Sequence, residues 1–157
     1  SEMTKLTSDY LFLKTTSAST LELKMLPLND SVKVHRAVST YSAPAADSRI
    51  AFYDTNWHEL PLSDFLRLPQ EDEFYLKPAS AVQADSLKNL RAYADMYLWK
   101  AELSAEKPVL MFTYTTPDYL DKDTAKDLKP YLKPRPLCLE WKEGKFVAQE
   151  NLNTSLR

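Results

Sequence analysis

The sequence predicts an α+β fold: a mostly antiparallel sheet of about six to seven strands, packed by one long helix at about 80–103 and a shorter helix at about 117–129. Three patterns lead there. Short alternating or apolar segments fill the first half of the chain. One later stretch repeats apolar residues at helical spacing, and a hairpin signature closes the chain.

The strands come first. Residues 10–13 are a run of Tyr and Leu around Phe12, and residues 20–25 alternate, with Leu21, Leu23 and Met25 opposite Glu22 and Lys24. Alternation of this kind sorts side chains onto two faces, and the apolar set is expected inward. Pro27 and Asn29-Asp30 mark a turn. Residues 32–38 alternate again, with Val32, Val34 and Val38 inward and Lys33 and His35 outward. A Ser, Ala and Asp-rich loop carrying Tyr41 and Pro44 leads to a strand at 49–53. Ser63 caps a helical turn at 64–68, closed by Pro69, and Phe74-Tyr75-Leu76 forms a short strand stopped by Pro78.

The long helix rests on Leu87, Leu90, Ala94, Tyr97, Leu98 and Ala101, which share one stripe at helical spacing. Ser80 followed by Gln83 gives it a capping box. Pro108 opens a strand at 109–115 that is apolar on both faces. Thr116, Pro117 and Asp118 then read as N-cap, first helical position and first turn of the second helix. Residues 137–141 and 145–149 pair around Glu143-Gly144. The chain reads as one domain over 1–157, with Ser1-Glu2 a vector remnant ahead of Met3 and 151–157 a frayed tail.

Composition excludes several functions. Gly144 is the sole glycine, so no GxGxxG, Walker A loop or GxSxG elbow can be built, and nucleotide cofactors held by such loops are not expected. Cys138 is alone, which rules out an intrachain disulfide and a cysteine-rich metal site. With no signal-like start and no long apolar run, the chain reads as cytoplasmic and without membrane contact. A net charge of −2 from 20 basic and 22 acidic residues argues against general attraction to nucleic acid.

The candidate sites are correspondingly few. His58 lies in the 54–59 loop with Asp54 and Glu59, and a histidine beside a carboxylate can serve as a general base. That supports a small hydrolase reading, against which Trp57 reads as a core anchor beneath the loop. The stretch Lys129-Pro130-Tyr131-Leu132-Lys133-Pro134-Arg135 interleaves basic and aromatic residues, a pattern that suits single-stranded nucleic acid. Asp121, Asp123 and Asp127 upstream offset its charge. Aromatics make 11% of the chain, and Tyr93, Met96 and Trp99 fall off the stripe of the long helix. Residues of this kind enrich protein–protein interface cores. The leading expectation is a non-enzymatic protein-binding domain (inhibitor, adaptor or assembly subunit, or one that self-associates) acting through Tyr93, Met96, Trp99 and Trp57, with no cofactor and no metal.

Overall fold

The computed structural model describes residues 2–6, 9–16, 19–27, 33–41 and 45–149, with the side chains of 2–6 and of Tyr41 left aside. The expected Asn29-Asp30 turn, Val32, Pro44 and the tail from Asn151 lie outside the described residues.

Two antiparallel sheets make up the α+β fold. The first runs β1 (Glu2–Leu6), β2 (Tyr10–Lys14), β3 (Ser19–Pro27), β4 (Lys33–Tyr41), β5 (Asp47–Tyr53) and β6 (Glu59–Leu60), side by side in chain order. The second contains β7 (Trp99–Leu103), β8 (Val109–Tyr114), β9 (Leu137–Lys142) and β10 (Lys145–Ala148), in the order β10-β9-β8-β7. The second sheet takes the place of the long helix that the sequence predicts as cover for the first. One apolar cluster joins them: Leu26, Val34, Val38, Ile50 and Phe52 from the first sheet meet Ala101, Leu110, Phe112, Trp141 and Phe146 from the second.

The long helix at 80–103 is corrected. Helix α1 covers only Ala81–Arg91, with the Ser80 side chain accepting the Gln83 backbone N–H at 3.2 Å. The Gln83 side chain in turn accepts the Ala79 backbone N–H at 3.0 Å, close to the expected capping box. Residues 99–103 are strand β7. Trp99, Ala101 and Leu103 alternate with Lys100 and Glu102, and that period of two overrides the helical stripe once β8 pairs beside it. Lys100 and Glu102 form an ion pair at 2.6 Å, while Ala101 and Leu103 are buried. The free-standing helical face with Tyr93, Met96 and Trp99 therefore does not form.

The second predicted helix is also divided. Helix α2 (Thr116–Tyr119) ends where Leu120 turns extended, and α3 (Lys122–Leu128) restarts with Asp121 accepting the Thr124 backbone N–H at 2.7 Å. Thr116 is not the cap. Its buried hydroxyl donates to the Met96 carbonyl at 2.7 Å and accepts the Leu98 backbone N–H at 2.9 Å. The expected 74–76 strand does not form: Phe74 closes a 3-10 turn, Glu71–Phe74, and of the three residues only Tyr75 bridges Leu132. Helices α1 and α3 share a small separate cluster of Tyr75, Leu87 and Leu128.

The closing hairpin forms as predicted, Lys145 to Ala148 pairing with Lys142 to Leu139. Both turn residues adopt the left-handed region, Glu143 at φ 51° and Gly144 at φ 81°. That is what a two-residue type I′ hairpin requires, and glycine meets it at least cost.

Candidate surface on the outer sheet face

The register of the first sheet decides which side chains face the core. Tyr10, Phe12, Leu26, Val34, Val38, Ile50 and Phe52 belong to the apolar cluster or pack against it. Along an extended strand the intervening residues face the other way. Cross-strand partners then line up as Leu11, Leu23, Ala37 and Ala51 in one row, and Leu13, Leu21, Ser39 and Arg49 in the next. A third row holds Met25, His35 and Tyr53.

Strand β3 is thus oriented opposite to expectation. Its alternation is as predicted, but Leu21, Leu23 and Met25 lie on the outer face. Glu22 and Lys24, at 6% and 5% exposure, are buried between the sheets. Polar partners make the inversion tolerable. Glu22 accepts the Tyr10 hydroxyl at 2.6 Å and the Leu103 backbone N–H at 3.3 Å. Lys24 Nζ donates to the carbonyls of Ser104 and Lys107 at 2.7 and 2.8 Å. Burial pushes the Glu22 carboxyl up, opposed by its hydrogen bonds from Tyr10 and Leu103. Burial likewise draws the Lys24 ammonium down. Strand β4 adds Arg36, fully buried on the same inner face.

Trp57 stands at the edge of the outer face. Read as a core anchor in sequence, it is instead 54% exposed. Its ring stacks on His35 with centroids 4.2 Å apart and planes 6° from parallel, and Tyr53 lies at 5.8 Å. The Trp57 backbone sits at φ 64°, an uncommon place for a bulky residue. Asp54 holds it there by accepting the backbone N–H groups of Asn56 at 2.8 Å and His58 at 2.9 Å. His35, expected outward, is outward but half-buried under this stack.

The loop also brings together Asp54 and His58, whose Oδ2 and Nδ1 are 3.1 Å apart. The Asp54 carboxyl lies below its ordinary value, first because it accepts the His58 backbone N–H and then because of the His58 ring and the Asn56 N–H. Glu59 does not join the pair; it faces Arg49 at 3.5 Å across β5 and β6. His58 is exposed, and Asp54 is its hydrogen-bond partner among the described residues. Also among the described residues, no group of three or more His, Cys, Asp or Glu is placed to hold a metal ion.

The other predicted binding residues are dispersed. Tyr93 and Met96 are exposed in the turn between α1 and β7, while Trp99 packs against Phe112 at 5.3 Å. Pro130 and Tyr131 from the basic stretch line a groove of about 830 Å³ between α1 and α3, together with Leu76, Pro78, Lys77 and Lys126. Cys138 is half-buried on β9, and burial raises its thiol. No helix among the described residues is long and apolar enough to cross a membrane.

These features define a two-sheet α+β protein with an apolar outer sheet face. Residues 1–146 match the family described as "Protein of unknown function (DUF3256)", and the chain belongs to that family. A solved structure described as a domain of an uncharacterized protein from Porphyromonas gingivalis W83 is similar, with a TM-score of 0.82 and 29% identity. The likeness covers 90% of this chain and 71% of that one. No curated protein matches.

Proposed function

We propose that this protein is a non-enzymatic binding protein that docks a protein partner on the outer face of its six-stranded sheet. The inverted β3 strand carries the reading. A sheet with one solvated face ordinarily turns leucines in and charges out. Here Glu22, Lys24 and Arg36 occupy the buried face while Leu11, Leu13, Leu21, Leu23 and Met25 occupy the outer one. Burying three ionisable side chains is costly. A register shifted by one residue would reverse β3's two faces. The observed arrangement gains free energy when a partner covers the leucines. Trp57, rigid and half-exposed at the margin, is the kind of side chain that anchors such contacts.

The test is partner capture with wild-type protein, Leu23→Glu and Trp57→Ala, with every captured protein identified. Leu23 is half-buried and Trp57 stacks on His35, so each substitution is expected to cost about 1 kcal/mol of folding stability, and circular dichroism of each variant accompanies the capture. Leu23→Glu places a charge in the apolar centre and is expected to weaken binding at least tenfold, about 1.4 kcal/mol. Trp57→Ala is expected to weaken it by a similar factor. A partner held equally well by all three proteins would overturn the proposal.

A further inference from the structure

We infer that α1 is a releasable lid, a helix that leaves the Tyr75–Leu128 cluster as a unit while both sheets stay folded, and that Arg91 is its latch. Of the eleven residues of α1 only Leu87 is buried. Leu90 and Arg91 are half-buried and the rest are exposed, Val82 at 76%. Helices in proteins draw most of their stability from an apolar face packed on the fold. Here that face is two leucines on a small cluster of Tyr75, Leu87 and Leu128, separate from the cluster that joins the sheets. Undocked, a helix of this length is too short to persist in water, so release and melting come together. Elements with so few buried apolar contacts open locally, well below the cost of global unfolding.

Both ends of the lid are tied down. Before α1, the Leu76 backbone N–H donates to the Tyr131 carbonyl at 2.7 Å, beside the Tyr75–Leu132 bridge. After it, Ala94 is buried and the Tyr97 hydroxyl donates to the Pro69 carbonyl at 2.6 Å. Residues 77–93 are the strap between these two points.

Arg91 closes the strap. Its Nη1 donates to Asp72 Oδ1 at 2.6 Å and its Nη2 to Glu71 Oε1 at 3.0 Å. The same guanidinium lies over the Tyr75 ring, 4.4 Å from the centroid. Glu71 is fixed from the far side, its Oε2 accepting the Tyr114 hydroxyl of β8 at 2.8 Å. One side chain of α1 thereby grips the 3-10 turn, the bridge residue Tyr75 and, through Glu71, the second sheet. A guanidinium bonded to two carboxylates is a strong contact. It is also open to screening by salt, because Asp72 is 82% exposed. The groove between α1 and α3 runs along the same helix, so release widens it and uncovers Tyr75 and Leu128.

Native-state hydrogen exchange, read residue by residue by NMR, tests the lid and the latch separately. Amides 85–91 are expected to share one opening constant, at least about a hundredfold larger than that of Val38, Phe52 or Phe112 in the sheets. Arg91→Gln is expected to raise the α1 constant about tenfold or more and to leave the three sheet amides unchanged. Raising sodium chloride from about 20 mM to about 1 M is expected to increase α1 opening severalfold in the wild type and not in Arg91→Gln. Leu87→Ala removes the apolar anchor and keeps the latch, so it is expected to open α1 further while retaining the salt response. An opening constant for 85–91 equal to that of the sheet amides would mean that α1 leaves only with the whole fold, and overturns the lid. A gradient of protection falling toward the helix ends would be fraying, and overturns it equally. An α1 constant that neither Arg91→Gln nor salt moves overturns the latch.

Discussion

Phe52→Ala is expected to cost about 3–5 kcal/mol of folding stability, the range for removing a large aromatic from a closed core. Phe52 has no exposed surface, and its ring stacks on Phe65 at 4.8 Å and lies 6.3 Å from Trp141 and 6.2 Å from Phe146. Phe52 belongs to the first sheet, Phe65 to the connection between the sheets, and Trp141 and Phe146 to the second. Truncation therefore removes the side chain that all three share, and the surrounding rings are too rigid to collapse into the gap. Tyr53, one residue on, faces outward. Tyr53→Ala, which opens no closed cavity, is expected to cost about 1 kcal/mol or less. Urea denaturation of the two variants checks the pair. Equal losses would mean that the sheets are not held together at Phe52.

The contrast between neighbours such as Phe52 and Tyr53 also explains what sequence could and could not disclose. Alternation in β3 and β4 was legible, because a period of two separates side chains whatever lies above or below. Which of the two sets faces the core is a tertiary choice. In β3 it went to Glu22 and Lys24, whose partners Leu103, Ser104 and Lys107 lie about eighty residues away. Nothing local to 20–25 announces those partners. The hairpin at Glu143-Gly144 was legible because both the turn and the flanking alternation are local. The stretch 80–103 misled because Ala94, Tyr97, Leu98 and Ala101 satisfy a helical stripe while Trp99, Ala101 and Leu103 satisfy a strand. Only the adjacent β8 decides between them. Of the proposed surface, Trp57 was singled out by type, as a core anchor beneath its loop and also as one of four binding residues. Its stacking on His35 joins residues twenty-two apart in sequence through the β4–β5 pairing.

Arg36→Met is expected to raise folding stability by about 1–3 kcal/mol, a gain in place of the usual loss. Arg36 is fully buried, and its Nε, Nη1 and Nη2 have no hydrogen-bond partner among the described residues. Replacing a buried charge that lacks a close partner with an apolar side chain of similar length removes a desolvation cost of several kcal/mol. Against this stands the loss of the guanidinium over the Phe146 ring, 4.2 Å from its centroid, worth about 2 kcal/mol at most. Lys24 gains too, since Arg36 helps to depress its ammonium after burial has done most of that work. The opposing effect falls on Glu22. Burial raises its carboxyl, Glu102 raises it further, and Arg36 holds it down. Without Arg36, Glu22 moves higher still. A carboxyl raised above its unfolded value binds its proton more tightly in the folded state, so its contribution is fully present below the unfolded pKa and is lost as pH rises through the folded one. The gain from Arg36→Met is therefore expected to be largest near about pH 4 and to shrink toward about pH 8. Urea denaturation of both proteins across that span gives the answer. A variant less stable than wild type at every pH would show that the buried guanidinium contributes more than its desolvation costs.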